Sequence, residues 1–496
     1  MFKKYIILLV IPMLVLSVIM GCTSKGPRPE NFKYEKLDFT VHKPNEYRTT
    51  LSNGLVVYIA EDNEIPWFNA SLMVKTGPFL EPTNKIGVEG LVSSIMRSGG
   101  STTMNGEQIN ERMDFLAGNV SATSLSINMK YVDEGLKIWM DILTNPAFPD
   151  DKLRREKESA LNRIKNRNNN VSSVASRVFD ELIYGEKSPI TAQQTEAIVN
   201  GITRTDLVTW HKKYWGANNA ILVVSGDFKK DEMLKKLETC FGKWKNAEKA
   251  VPKIPEVKQE TGAGVYLVQP IVIPNQGVIR IGHIGLKQDD PDYPAVDLMN
   301  YILGSGSFSS RITRTVRSDY GLAYSTSSSF SGGTYYPGTF SASCQTKNST
   351  VVFATQLMLN EIEKIRTEPV SKEDLQFAKT ARVNAFPSMF SSISAILSNF
   401  ARLEFNGRPM DYYDTYLEKY EKITLEDIHR VAQKYLIPDK MIILISGNIK
   451  ECSAGADKLL PNQNAIDAMA AQFGGRTIDE LAKKYGDGKV HVIPLK

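Results

Sequence analysis

The chain carries one stretch of itself twice. Residues 202–226 (ITRTDLVTWHKKYWGANNAILVVSG) and 423–447 (ITLEDIHRVAQKYLIPDKMIILISG) align without a gap at an offset of 221. Eight pairs are identical, among them Thr203/Thr424, Asp206/Asp427, Tyr214/Tyr435, Ser225/Ser446 and Gly226/Gly447. Self-similarity at one offset marks a duplicated unit, so any fold proposed for one half has to serve both. In each copy a Thr stands where a helix needs its cap, a turn follows, and an apolar run (220–225, 441–446) reads as a buried strand. Upstream of each lies a long charged helix, at 150–168 and 371–385, the second opening with the capping pattern Ser371-x-x-Asp374. Two apolar strand runs open each half, at 55–60 and 70–74 and at 265–268 and 278–281. The expectation is an α+β fold of two similar halves, each a mainly antiparallel sheet packed with helices. Their limits are 46–242 and 263–450, with a Lys- and Pro-rich linker at 243–262 and a tail, 451–496, of unassigned role. A helix is expected in that tail near 465–485.

A chain of 496 residues is too long for a single core, which agrees with two domains. Sixty basic against 55 acidic residues give a net charge of +5, no footprint for nucleic acid. Four cysteines without a repeated spacing exclude a disulfide framework. At the N-terminus Lys3 and Lys4 precede an apolar run from Tyr5 to Met20, interrupted by Pro12 and followed by Gly21-Cys22. That order describes an export signal, 1–21. Ile19-Met20-Gly21-Cys22 resembles a bacterial lipobox, which implies lipidation of Cys22, a tether over 22–45 and a body on the cell envelope facing the periplasm or exterior. An uncleaved anchor or a plain secretory signal would equally place the body outside the cytoplasm.

The segment 87–98, GVEGLVSSIMRS, has apolar residues at Val88, Leu91, Val92, Ile95 and Met96, the stripe of a helix with one buried face. Its other face carries Gly90, Ser93, Ser94 and Arg97. Around this helix the chain resembles the pitrilysin/insulinase family, over about 46–450. The resemblance rests on TLSNGLVVYIAED, on Gly-x-x-x-Glu81 before the helix, on NPAFP (145–149), on ITRTDL…VVSGD and on RTVRSDYGLAYS (314–325). Active members carry His-x-x-Glu-His on this helix: two His one turn apart bind zinc, the Glu acts as base toward metal-bound water, and a distant Glu completes the ligands. The corresponding positions here are Gly90, Ser93 and Ser94, with Arg163 at the distant Glu.

Those residues cannot hold the metal. Glycine has no donor atom, a neutral hydroxyl is a poor zinc ligand, and Arg163 would set a positive charge beside the cation. The five histidines, His42, His211, His283, His429 and His491, lie at least 62 residues apart in sequence, so no local pair exists. A site assembled from distant His and carboxylates is the remaining alternative. No zinc or other cofactor is expected in this chain.

In family members that work as pairs, one chain supplies zinc and the other an Arg/Tyr pair from its second half. The resemblance places that pair at Arg317 and Tyr324, as substrate-binding residues able to orient a peptide carbonyl and stabilise charge on it. From residue types alone, Arg317 reads as well as a surface ion-pair residue and Tyr324 as a half-buried strand aromatic. Gly321 between them permits a sharp turn. The Gly/Ser-rich run Gly304–Ser310 lacks the Lys-Ser/Thr ending of a phosphate loop. The expectation is a zinc-free, substrate-binding subunit of a two-chain processing peptidase in the envelope. Its partner would be a homologous zinc-binding subunit, its substrate a peptide or unfolded segment, its membrane contact the N-terminal lipid. The alternatives are a structural scaffold and a stand-alone peptide-binding lipoprotein with the same fold.

Overall fold

The structure is a computed structural model that describes residues 42–248, 256–455 and 460–496. The signal segment, Cys22, most of the tether and residues 249–255 of the linker lie outside the described residues.

Among the described residues, twelve strands form two six-stranded sheets. In chain order they are β1 (Arg48–Thr50), β2 (Val56–Glu61), β3 (Trp67–Val74), β4 (Asn119–Val120), β5 (Ser124–Asn128) and β6 (Ala220–Gly226), then β7 (Gly264–Val268), β8 (Gln276–Ile284), β9 (Ala323–Phe330), β10 (Thr339–Lys347), β11 (Ile442–Ser446) and β12 (Val490–Val492). The orders are β1-β2-β6-β3-β5-β4 and β12-β7-β11-β8-β10-β9. The duplication is thus a duplication of topology. β6 and β11, the repeated strands, occupy the same place, each parallel to one neighbour (β2, β7) and antiparallel to the other (β3, β8). Both are buried along their whole length, which is why both copies read as unbroken apolar runs.

The repeated helices begin alike for a local reason. Thr203 accepts a hydrogen bond from the Asp206 amide while the Asp206 carboxylate takes the Thr203 amide. Thr424 and Asp427 repeat the exchange at Leu425–Tyr435. Ser371 caps its helix through the Asp374 amide. The tail differs from its expected single helix. It forms Gln463–Phe473 and Ile478–Ala482, broken where Gly474 and Gly475 take φ +101° and +118°, values that end a helix.

Helix coverage crosses between the halves. The helix Val171–Tyr184, from the first half, lies on the second sheet, where Val174, Val178, Phe179 and Ile183 pack with Tyr266, Val268, Ile442 and Leu444. The helix Ile393–Phe405, from the second half, lies on β2 and β6 of the first. The exchange is reciprocal in detail: the Ser225 and Ser394 hydroxyls are 2.8 Å apart, and Ser446 donates to the Val171 carbonyl at 3.2 Å. Each half supplies a sheet and the other half's cover.

The tail is built into the second sheet. β12 pairs with β7 in the place that β1 takes beside β2, but parallel instead of antiparallel, since the strand arrives from the other end of its half. Ile466, Phe473, Ile478 and Leu481 join the second core, and Gln356 donates to the Gly475 carbonyl. Arg167 and Asn168 donate to the Lys496 main-chain oxygen. Among the described residues, no helix is long and apolar enough to cross a membrane.

Candidate functional site

The helix Val88–Gly99 buries Val88, Leu91, Val92, Ile95 and Met96. Its start is fixed by Glu81, whose two oxygens accept from the Gly87 and Glu89 amides at 2.7 and 2.9 Å. Burial pushes this carboxyl above its ordinary value, against the pull of the two backbone donors. Gly87 turns the chain into the helix at φ +95°, and a Cβ there would lie 1.6 Å from the Gln194 side-chain nitrogen. The Gly-x-x-x-Glu motif is therefore the anchor of this helix.

On the outer face, Gly90 opens onto space: a Cβ would meet nothing within 4 Å. Ser93 donates to Glu89 at 3.0 Å, and the exposed Ser94 to Glu156 at 2.7 Å, across to the neighbouring helix Asp150–Asn166. Arg163, two turns beyond Glu156, donates to Ser159 at 2.8 Å and lines an open groove of about 500 Å³ with Asn162 and Asn166. The structure thus puts the four degenerate positions on two adjacent helices. As a donor set they do not fit zinc. They comprise no side chain at Gly90, two hydroxyls already donating to carboxylates, and a cation.

Among the described residues, no three His, Cys, Asp or Glu side chains converge to hold a metal ion. The histidines stay apart. His42 meets Tyr47, His211 the Leu143 carbonyl, His429 Gln433 and His491 Asp487. His283, fully buried in β8, is held between the Ile284 carbonyl and the Ile437 amide, and burial lowers its pKa to about 4. Every one has a local role.

Arg317 and Tyr324 are brought together. The π-helical turn Arg314–Asp319 carries Arg317, the chain reverses at Gly321 (φ +62°), and β9 begins at Ala323. In the ladder with β10, Ala323 faces Thr346 and Ser325 faces Gln345, which leaves Tyr324 as the extra residue of a β-bulge. Arg317 Nη1 donates to the Tyr324 carbonyl at 2.7 Å, and the guanidinium lies 4.7 Å from the centre of that ring. Tyr324 is 85% exposed, so it is no half-buried strand residue, and among the described residues Arg317 makes no ion pair.

A third residue escaped the sequence reading. Phe308, 61% exposed, places its ring centre 4.5 Å from the Arg317 guanidinium. It sits in the Gly/Ser-rich run, where an aromatic among small polar residues was the available signal. Gly304 in that run lets the chain press on β9, since a Cβ would lie 2.3 Å from the Ser328 hydroxyl. Beyond Gln345 the sheet end opens into a polar groove of about 650 Å³ lined by Gln276, Gln345, Lys347, Asn348 and Glu451.

Two family profiles match the chain. Residues 56–188 match the profile described as insulinase (peptidase family M16), and residues 201–382 that described as the peptidase M16 inactive domain. The chain is 23% identical over 425 residues to a Helicobacter pylori protein named non-peptidase homolog YmxG, covering 81% of this chain and 94% of that protein. It is 22% identical to a Bacillus subtilis protein named uncharacterized zinc protease YmxG, over 80% of this chain and 98% of that one. A solved peptidase M16 inactive domain from Pseudomonas fluorescens superimposes with a TM-score of 0.70 at 23% identity, covering 81% of this chain and 97% of that structure. With the motifs, the duplicated topology and these similarities in agreement, the chain belongs to the insulinase family, peptidase family M16, and the positions corresponding to the family's zinc ligands carry neither histidine nor carboxylate.

Proposed function

We propose that this chain is the substrate-binding, zinc-free subunit of a two-chain peptidase of the processing-peptidase kind. One observation carries the reading. The positions that would hold the metal carry neither histidine nor carboxylate, while the half-buried Arg317 is hydrogen-bonded to the exposed Tyr324 at the start of β9. A chain that kept only its architecture would have no need of a guanidinium held beside an exposed phenol. A partner with the same fold and a His-x-x-Glu-His helix would bring metal, base and water. This chain would bring part of the chamber wall and donors for the peptide carbonyl under attack. Lipidation at Cys22 would hold the pair on the cell envelope.

Co-purification from the native host, followed by a peptide-cleavage assay, tests this. The isolated chain is expected to cleave nothing, and the complex with its homologous zinc chain to cleave. Arg317→Ala in this chain should lower kcat/KM of the complex by about 10²-fold or more, the scale for losing one oxyanion donor. Full activity of the Arg317→Ala complex would remove the role given to Arg317. A complex containing no zinc-binding homologue would remove the pairing.

A further inference from the structure

Between β7 and β8 the chain runs Pro270-Ile271-Val272-Ile273-Pro274, and its three aliphatic side chains are 66, 58 and 58% exposed. Single exposed aliphatics are ordinary on a protein surface, but three in a row form a patch that calls for an occupant. The run is ordered by its neighbours. The Ile271 amide donates to the Asn168 carbonyl at 2.9 Å, and Asn348 Nδ2 donates to the Pro274 carbonyl at 2.9 Å. The two prolines fix φ at its ends. A surface ordered in advance loses little conformational freedom on binding.

Its position points to the occupant. Pro274 lines the groove of about 650 Å³ that Gln345 also lines, and Gln345 faces Ser325, the residue after Tyr324, in the β9–β10 ladder. The groove thus connects the apolar run with the Arg317/Tyr324 site. Asn275, Gln276 and Gln345 offer it neutral amides, which suit a peptide main chain, and its two ionic residues, Lys347 and Glu451, are of opposite sign. Three side chains are too few for a face between two copies of the chain, which takes roughly 800 Å² and 20–30 residues from each. They suit one or two apolar side chains of a bound segment. We infer that Ile271, Val272 and Ile273 form an apolar subsite for the extended polypeptide whose carbonyl meets Arg317 and Tyr324. This rests on the substrate-binding reading above and adds a substrate class: segments with an aliphatic or aromatic residue at a set distance from the held carbonyl. Gln345 faces Val278 on its other side, so two strand spacings and the stretch from Val278 back to Pro274 separate the two places. That is roughly 16 Å, about five residues of extended chain.

Fluorescence anisotropy with the full chain tests the inference, using two labelled decapeptide pools with both ends blocked. One is randomised over Gly, Ser, Thr, Asn and Gln. The other is the same except for Leu or Phe at its third or eighth position. The Leu/Phe pool is expected to bind about tenfold tighter, the scale for taking one such side chain largely out of water. Ile271→Ser, Val272→Ser and Ile273→Ser combined in one chain are expected to abolish the preference. The three Leu replacements retain it, as does Ile65→Ser at another exposed aliphatic. Equal binding of both pools by the unaltered chain overturns the apolar subsite and leaves peptide binding standing. Absence of binding by both overturns the subsite and the substrate-binding reading together. An undiminished preference in the triple Ser variant overturns the role of the run. So does a dimer in sedimentation, or flotation of the Cys22→Ser chain with phosphatidylcholine vesicles, that the triple Ser change abolishes, since either assigns the run to another occupant.

Discussion

His283 and Glu81 show how single residues here are tuned by burial. His283 is neutral in the folded chain because its pKa of about 4 lies far below the ordinary 6.5. The unfolded chain therefore takes up a proton that the folded chain refuses. The stability tied to neutral His283 is complete above pH 6.5 and lost as pH falls toward 4, a loss of roughly 3 kcal/mol. Urea midpoints measured at pH 7.5 and 4.5 for the unaltered chain and for His283→Gln should show the smaller pH slope in the variant; equal slopes would mean the imidazole is protonated in the fold. Glu81 binds two amides at a helix start, where a carboxylate also meets the favourable end of the helix dipole. Glu81→Ala should cost about 1–2 kcal/mol in the same measurement.

Among elements, the two exchanged helices and the tail set the limits of what was legible. The caps at Thr203 and Thr424 could be read from sequence because a capping box is a contact between residues three apart. The stripe Val174, Val178, Phe179, Ile183 says that a helix has a buried face, but it fits either sheet, so the exchange was not visible. β12 was missed because three residues carry no periodic signal, and Tyr324 became a bulge only once β10 lay beside it. Arg317 and Tyr324 were found through motif resemblance. Phe308 was not, because stacking on Arg317 depends on a turn at Ser307 that its sequence gives no reason to expect. The tail carries a prediction. Deleting residues 489–496 uncovers the edge of β7 and removes the bonds of Arg167 and Asn168 to Lys496. Hydrogen exchange should then speed up at 264–268 and stay unchanged at 56–61; equal protection at 264–268 in both chains would show that β12 adds nothing.

At the scale of the whole molecule, the reciprocal cover makes the halves interdependent. Glu404, on the helix that crosses to the first sheet, accepts from Arg48 and, at 2.6 Å, from the Tyr58 hydroxyl. The Arg48 bond holds this carboxyl below its usual value, with Tyr58 adding to the effect. On the other side Phe179 is fully buried against the second sheet. Phe179→Ala should cost about 3–5 kcal/mol. In calorimetry it should shift a single common transition; two separate transitions, only one of them moved, would show that the halves unfold independently. The functional account asks for the same cooperation, a scaffold rigid enough to present a stacked guanidinium although its metal positions are bare. The most direct test of that account is metal analysis of the homogeneous chain together with a peptide-cleavage assay. Far less than one zinc per chain and no turnover are expected. One tightly held zinc per chain, with turnover in proportion, would contradict it.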